Sequence, residues 1–204
     1  FRNCEQLKTF YIGKAFRGKI NYGEEGDPDT LFLYYAPIRL IQIDKENTSY
    51  QLQNEILYTR DGHILCQALK NDNADSQLTI PSCVTEIADG AFYRNSEFGA
   101  IEVKGSLERI GISTFACADV GSFYVKGGVN YLDRGSFYQS AISEWRCHGG
   151  VKKYEKSAFQ DVDATNGYAI DMNAITKLYQ ELLYVNATTD LSYWVKTIWN
   201  WITM

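Results

Sequence analysis

The chain has 204 residues, of which 45% are hydrophobic and 22% are charged, and its formal net charge at pH 7 is −5. This acidic balance gives no basic surface of the kind that binds nucleic acid, so we expect no nucleic-acid partner. No stretch approaches the roughly eighteen consecutive apolar residues of a membrane-spanning helix, so we also expect no membrane insertion.

The first predicted element is a short strand in the sequence LKTFYI, where Phe10 and Ile12 share one face by alternation. Residues 13–31 are polar and rich in glycine and acidic residues, which predicts a long loop. Ile41 and Ile43 restore the alternating pattern after the loop and predict a second strand.

A β-hairpin is predicted next, at about residues 55–67. Two short apolar runs, ILY and HILC, flank the sequence Thr59-Arg60-Asp61-Gly62. Asp-Gly between strand-like runs is typical of a tight turn, because glycine accepts a positive φ. The hairpin interrupts the pattern of the surrounding units and is therefore interpreted as an insertion.

Four similar units follow the hairpin, and each contains a phenylalanine preceded by a small residue. These phenylalanines lie 23, 22 and 22 residues apart, at Phe92, Phe115, Phe137 and Phe159. A fixed period of this length with apolar columns is typical of a solenoid. Because one unit is too short to enclose its own core, each phenylalanine ring is expected to pack on the rings of the neighbouring layers.

The columns resemble those of the BspA-like leucine-rich repeat, a family of bacterial and protist surface proteins. The run LTIPSCVTEIADGAFYRN, at residues 78–95, is similar to the family pattern, although later units replace its proline with Lys104, Lys126 and His148. The resemblance covers about residues 1–171. It implies an α/β repeat solenoid, a right-handed superhelix of 22–23-residue units with a parallel sheet on one face and an inserted β-hairpin.

The pattern changes to a helical period after the last repeat. Apolar residues recur at helical spacing from Ile175 to Leu183, and a second stripe runs from Leu191 to Ile202. The open end of a solenoid needs a terminal layer that covers its core. We therefore predict a C-terminal helical cap at residues 172–204, following the solenoid at residues 1–171.

The predicted sheet offers the best candidate for a binding surface. Inward columns are constrained by packing, whereas the outer face of the strands and the loops are free to carry function. Tyrosine and arginine are frequent anchors of interfaces, and both occur at outward positions. We predict that the ligand-binding residues on this face are Glu102, Lys104, Tyr124, Lys126, Arg146 and His148.

No group of residues predicts catalysis. Cys147 and His148 are adjacent, but neighbours on a strand point to opposite faces and cannot act as nucleophile and base. The sequence from Gly13 to Lys19 fits G-x-x-x-x-G-K, yet Ile20 replaces the Ser or Thr that a phosphate-binding loop needs. We expect no enzyme activity, no catalytic residue and no cofactor.

Metal sites are not predicted either. The five cysteines are an odd number without a C-x-x-C pair, so we interpret them as buried thiols. Acidic clusters at residues 24–29 and 71–75 lack EF-hand spacing and are interpreted as solvated loops, which calorimetry with calcium would distinguish from calcium sites. Asn47-Thr48-Ser49 fits the N-glycosylation pattern, which is relevant only in a eukaryotic secretory host.

These expectations favour a non-catalytic interaction module. The resemblance implies a cell-surface or secreted protein whose partner is a host or bacterial surface protein or glycan, and we expect a monomer. The signal and anchor are expected outside this chain. One alternative is a structural spacer with no ligand, and another is a hydrolase in the loops, which would require a deep pocket with converging carboxylates.

Overall fold

The computed structural model describes residues 4, 6–23, 28–33, 36–69, 76–95 and 98–160. The secondary-structure elements in these ranges are β-strands, so the described part is a β-solenoid, and the predicted repeat solenoid is found there without the helical component of the predicted α/β class. Within the same ranges, no helix is long and apolar enough to span a membrane. The predicted helical cap at residues 172–204 lies outside the described residues.

The strands occur in pairs or groups within successive layers of the solenoid. Their bounds are β1 (Thr9–Ile12), β2 (Lys19–Ile20), β3 (Thr30–Leu31), β4 (Leu40–Ile43), β5 (Tyr50–Gln53), β6 (Ile56–Thr59), β7 (Ile64–Ala68), β8 (Ser76–Ile80), β9 (Glu86–Ile87), β10 (Phe98–Val103), β11 (Leu107–Ile110), β12 (Asp119–Val125), β13 (Val129–Leu132), β14 (Ala141–Cys147) and β15 (Val151–Tyr154).

One parallel sheet, here called the front sheet, contains four strands in the order β14-β12-β10-β8. Its register aligns one inward residue from every layer: Leu78, Ile101, Phe123 and Trp145. All four are buried, because alternation along each strand turns them towards the core. The parallel sheet predicted from the alternating pairs is therefore confirmed.

A second sheet, here called the back sheet, contains the predicted hairpin strands together with repeat strands that the sequence did not predict. Its order is β15-β13-β11-β9-β7-β6-β5, and β7, β9, β11, β13 and β15 are parallel. An extended chain covers about 3.3 Å per residue against about 1.5 Å in a helix, so a short strand crosses the layer within so short a repeat. β11, for example, crosses its layer with four residues, and its first and last residues, Leu107 and Ile110, are buried in the core.

A ladder of phenylalanine rings runs through the core between the two sheets. Phe92 stacks on Phe115 with ring centroids 4.7 Å apart, and Phe115 stacks on Phe137 at 5.0 Å. Phe137 stacks in turn on Phe159 at 5.1 Å. The first three rings are fully buried, which confirms that the phenylalanine column is the spine of the repeats.

The N-terminal layers have a core cluster of their own. β1 and β4 pair in parallel, with Phe10 opposite Ile41 and Ile12 opposite Ile43. The segment predicted as a long loop at residues 13–31 instead contains β2 and β3, which also pair in parallel. Ile20 of β2 is fully buried in the same cluster, and its burial explains why this otherwise polar segment is ordered as a strand.

The inserted hairpin is present. β6 and β7 pair antiparallel around Gly62, whose φ of 76° favours glycine in the turn. The structure adds two relationships that were not predicted. β5 pairs antiparallel with β6, and β7 pairs in parallel with β9, so the hairpin extends the back sheet beyond the repeats.

Candidate functional site

The front sheet brings the six predicted site residues onto one surface. Glu102, Tyr124 and Arg146 are aligned on neighbouring strands. Lys104, Lys126 and His148 come two residues later, directly after the ends of β10, β12 and β14, and are exposed. Because paired strands lie about 4.8 Å apart, residues that are more than twenty positions apart in sequence become neighbours on this face.

Three sets of contacts join the side chains on this surface. Lys104 Nζ donates to a Glu102 carboxylate oxygen at 2.5 Å, and Lys126 Nζ lies 3.3 Å from the other oxygen. The hydrogen bond from Lys104 lowers the pKa of the Glu102 carboxyl, and the same bond raises the pKa of Lys104. The two lysines therefore share one carboxylate and leave an excess of positive charge.

The other contacts involve Tyr124 and Arg146. Tyr124 Oη lies 2.9 Å from His148 Nε2, and the two rings meet edge to face with centroids 5.2 Å apart. Arg146 forms an ion pair with Glu144 on its own strand. The ring of Tyr124 is thus held against the His148 imidazole on an accessible surface, and Arg146 lies opposite Tyr124 on the neighbouring strand.

A shallow depression lies between β12 and β14. Its lining residues are Ser122, Phe123, Tyr124, Glu144, Arg146 and His148. Three predicted residues line it, whereas Glu102, Lys104 and Lys126 lie beyond its edge. Ser122 and Glu144 were missed as site residues, although their outward position follows from the same alternation that identified Tyr124 and Arg146. We call the six predicted residues together with Ser122 and Glu144 the front patch.

Glycines at the end of the front strands were also missed. Gly105, Gly127 and Gly149 occupy equivalent turns, and Gly127 N donates to Gly105 O at 3.0 Å while Gly149 N donates to Gly127 O at 2.9 Å. A Cβ on Gly127 would lie 2.8 Å from Gly105 O, so only glycine fits this close approach. The repeated Lys-Gly, Lys-Gly and His-Gly pairs were the available sequence signal. These turns fix the positions of Lys104, Lys126 and His148, each of which directly precedes one of the glycines.

The structure separates Cys147 from His148 as expected. Cys147 is buried in the core, whereas His148 is exposed on the front patch. The interpretation of the cysteines as buried thiols holds for Cys66 and Cys147 but is wrong for Cys4 and Cys83, which are exposed. Among the described residues, no group of three or more histidine, cysteine or acidic side chains is arranged to hold a metal ion.

Asn47 is a structural residue. Its side-chain Nδ2 donates to Gly13 O at 2.8 Å, and its Oδ1 accepts from the backbone N–H groups of Ser49 and Tyr50. The residue is 2% exposed. The glycosylation pattern at this position is therefore inaccessible in the folded chain.

A second charged cluster lies on the back sheet. The Arg109 guanidinium is within 2.8 Å of Glu86, 2.6 Å of Asp89 and 2.9 Å of Asp133. Burial raises the pKa of the Asp89 carboxyl, and the nearby Arg109 opposes this effect. Asp89 also accepts a backbone hydrogen bond from Ile112 N. The three carboxylates come from the layers on either side of Arg109, so these ion pairs connect adjacent layers at the back sheet.

Comparisons with known proteins agree with this architecture. The family model for the BspA type leucine rich repeat region matches residues 62–166 of the sequence, in six copies. No curated protein matches the chain. The crystal structure of the pneumococcal vaccine antigen PcpA is 16% identical, with a TM-score of 0.51 over 74% of this chain and 46% of that one.

A leucine-rich repeat protein from Eubacterium ventriosum is 12% identical, with a TM-score of 0.33 over 76% of this chain and 59% of that one. The chain thus spans 46% of the PcpA structure and 59% of the Eubacterium one. At this identity the likeness to PcpA shows the fold alone. The family model covers more than half of the chain, with its repeats on the layers described above, and the chain belongs to the BspA-type leucine-rich repeat family.

Proposed function

We propose that the chain is a non-catalytic interaction module of a cell-surface or secreted protein, and that it binds a surface protein or glycan through the front patch. The repeat family supports a role in interaction or architecture. The location is supported by PcpA, which is described as a vaccine antigen. The chain is also proposed to be a monomer, because the core of the solenoid is formed by its own stacked layers.

The depression beside Tyr124 and Arg146 is the observation that carries this proposal. A spacer needs only a solvated outer face, and short polar side chains supply that. Here a half-buried tyrosine and an arginine whose side chain is 57% exposed converge on one concavity. Tyrosine and arginine are the residue types that most often supply binding energy at interfaces.

The test is a binding screen on immobilised extracellular-matrix proteins and on host and bacterial surface glycans. The double variant Tyr124→Ala with Arg146→Ala is compared with the unmodified chain. A matched control carries Arg134→Ala and Tyr138→Ala, the same residue types in a turn after β13. We expect the front-patch variant to weaken binding by about tenfold or more, while the control variant binds normally.

Two outcomes would contradict the proposal. Equal binding by both double variants would place the binding surface outside the front patch. An unmodified chain that binds nothing on the panel would favour the alternative of a structural spacer, which has no ligand of its own. Thermal melting of each variant separates loss of binding from loss of folding.

A further inference from the structure

The charge of the front patch differs in sign from that of the whole chain. Three cationic side chains, Lys104, Lys126 and Arg146, stand against two carboxylates, Glu102 and Glu144. The patch therefore has an excess of one positive charge, in a chain whose net charge is −5. The excess comes from Lys104 and Lys126, which lie beyond the edge of the depression, so it attracts acidic ligands to the front patch, and Arg146 is the cation that they meet inside the depression.

Apart from Tyr124, the front patch consists of charged side chains, His148 and Ser122, so it offers one aromatic ring to a partner. In the described part of the chain, the exposed large hydrophobic residues are Tyr11, Leu40 and Leu52, and all three lie outside the front sheet. Protein interfaces are centred on apolar and aromatic side chains in desolvated pockets. One half-buried ring, Tyr124, surrounded by charged groups suits a sugar, which packs its C–H face on a ring and presents hydroxyls around it.

Arg146 has the geometry to receive a carboxylate. Its Nη2 is paired with Glu144, and the side chain is 57% exposed. A guanidinium has five N–H donors in a planar fork, so one ion pair leaves donors for a second, bidentate acceptor. Among the described residues, Arg146 forms its only ion pair with Glu144 of the same strand. An acidic group in the depression could therefore bind to the remaining N–H donors of Arg146.

We propose that the depression between β12 and β14 takes a sugar residue that bears a carboxylate, such as a uronic or sialic acid. Arg146 holds the carboxylate, and Tyr124 packs against the ring with its position set by His148. Ser122 and Glu144 hydrogen-bond the hydroxyl groups. This inference rests on the proposed function and selects an acidic glycan from the partners left open there.

The test uses pairs of oligosaccharides that differ in charge. Tetragalacturonate is compared with its methyl ester, and sialyllactose with lactose, by titration calorimetry. We expect the chain to bind at least one of the two acids, and the matching neutral sugar about tenfold or more weakly, because a hydrogen bond to a charged group is lost. Binding of neither acid, or equal affinity within both pairs, would overturn the inference.

Variants identify the residue that carries the charge. Arg146→Gln keeps a hydrogen-bonding side chain and should reduce affinity for the acid to that for the neutral sugar, whereas Arg134→Gln, an exposed arginine outside the front sheet, should change nothing. Unchanged acid binding by Arg146→Gln would contradict the inference. A chain that binds a protein or a neutral glycan through Tyr124 and Arg146 would overturn the carboxylate assignment and leave the proposed function intact.

Discussion

The ring of Phe115 stacks on the ring of Phe137 with centroids 5.0 Å apart and an angle of 4° between the ring planes. Each ring is fully buried and also meets Phe123 of the front sheet edge to face. Two successive layers are therefore joined at one point of the core. This contact is repeated along the stack, and it explains how units that cannot fold alone form one cooperative structure.

Replacing Phe115 with alanine should be far more damaging than replacing Tyr124. The Phe115→Ala variant leaves a cavity between two layers, which typically costs about 3–5 kcal/mol of unfolding free energy. Tyr124 is half-buried on the outer face, so Tyr124→Ala should cost much less. Urea unfolding of both variants measures the difference, and equal losses would mean that the assignment of inward and outward columns is wrong.

Gly127 should tolerate no side chain. A Cβ at this position would clash with Ser106 Oγ and would lie 2.8 Å from Gly105 O, so Gly127→Ala should lower the free energy of unfolding by about 1–3 kcal/mol. Gly13→Ala is the matched control, because its nearest contact would be Tyr11 Cε1 at 3.8 Å. Similar melting temperatures for the two variants would show that the glycine turns are not tightly stacked.

Asn21 connects the N-terminal layers to the hairpin. Its Nδ2 donates to Cys66 O at 2.9 Å, and its Oδ1 accepts from Leu33 N at 2.7 Å. The residue is fully buried with a φ of 61°. Asn21→Ala removes both hydrogen bonds in the core, so we expect a loss of about 1–3 kcal/mol for each group that is left unsatisfied.

The control for this variant is Asn54→Ala. Asn54 also has a positive φ, of 49°, but is exposed, so its replacement introduces similar backbone strain without removing buried hydrogen bonds. Chemical unfolding should give a much larger loss for Asn21→Ala. Matching losses would show that strain, rather than the buried amide, sets the effect.

The cysteines should differ in reactivity. Cys66 is fully buried, and burial raises the pKa of its thiol, which disfavours the reactive thiolate. Cys83 is exposed. In the native chain, iodoacetamide should label Cys83 and spare Cys66, as read by mass spectrometry, whereas denaturation should expose both. Rapid native labelling of Cys66 would contradict the burial of β7.

The front sheet was predictable because its signal is local. Residues such as Leu78 and Ile80 alternate with polar neighbours, and the alternation is repeated at a fixed period. The repeat strands of the back sheet gave no such signal: in β11, for example, the buried residues Leu107 and Ile110 are three positions apart and do not alternate. The pairing of β7 with β9 was also unpredictable, since it joins the insertion to the next unit and depends on long-range packing.

The candidate site was predictable to a similar degree. Alternation and repeat spacing were enough to bring Tyr124 and Arg146 together on one face. The pairing of Tyr124 with His148 depends on the rotamers of both side chains, which repeat spacing does not determine. The depression depends on the same choices, and for this reason Ser122 and Glu144 entered the site only with the structure.

Hydroxyl-radical footprinting of the chain, with and without a partner found in the binding screen, tests the central claim most directly. If the front patch is the binding surface, the bound partner should protect Tyr124 and His148 from oxidation. Tyr131 of β13, on the back sheet, and Tyr138 should be oxidised to the same extent in both states. Protection of Tyr11 or of Leu52 in β5, with no change at Tyr124, would contradict the claim and place the binding surface on the N-terminal layers or the hairpin.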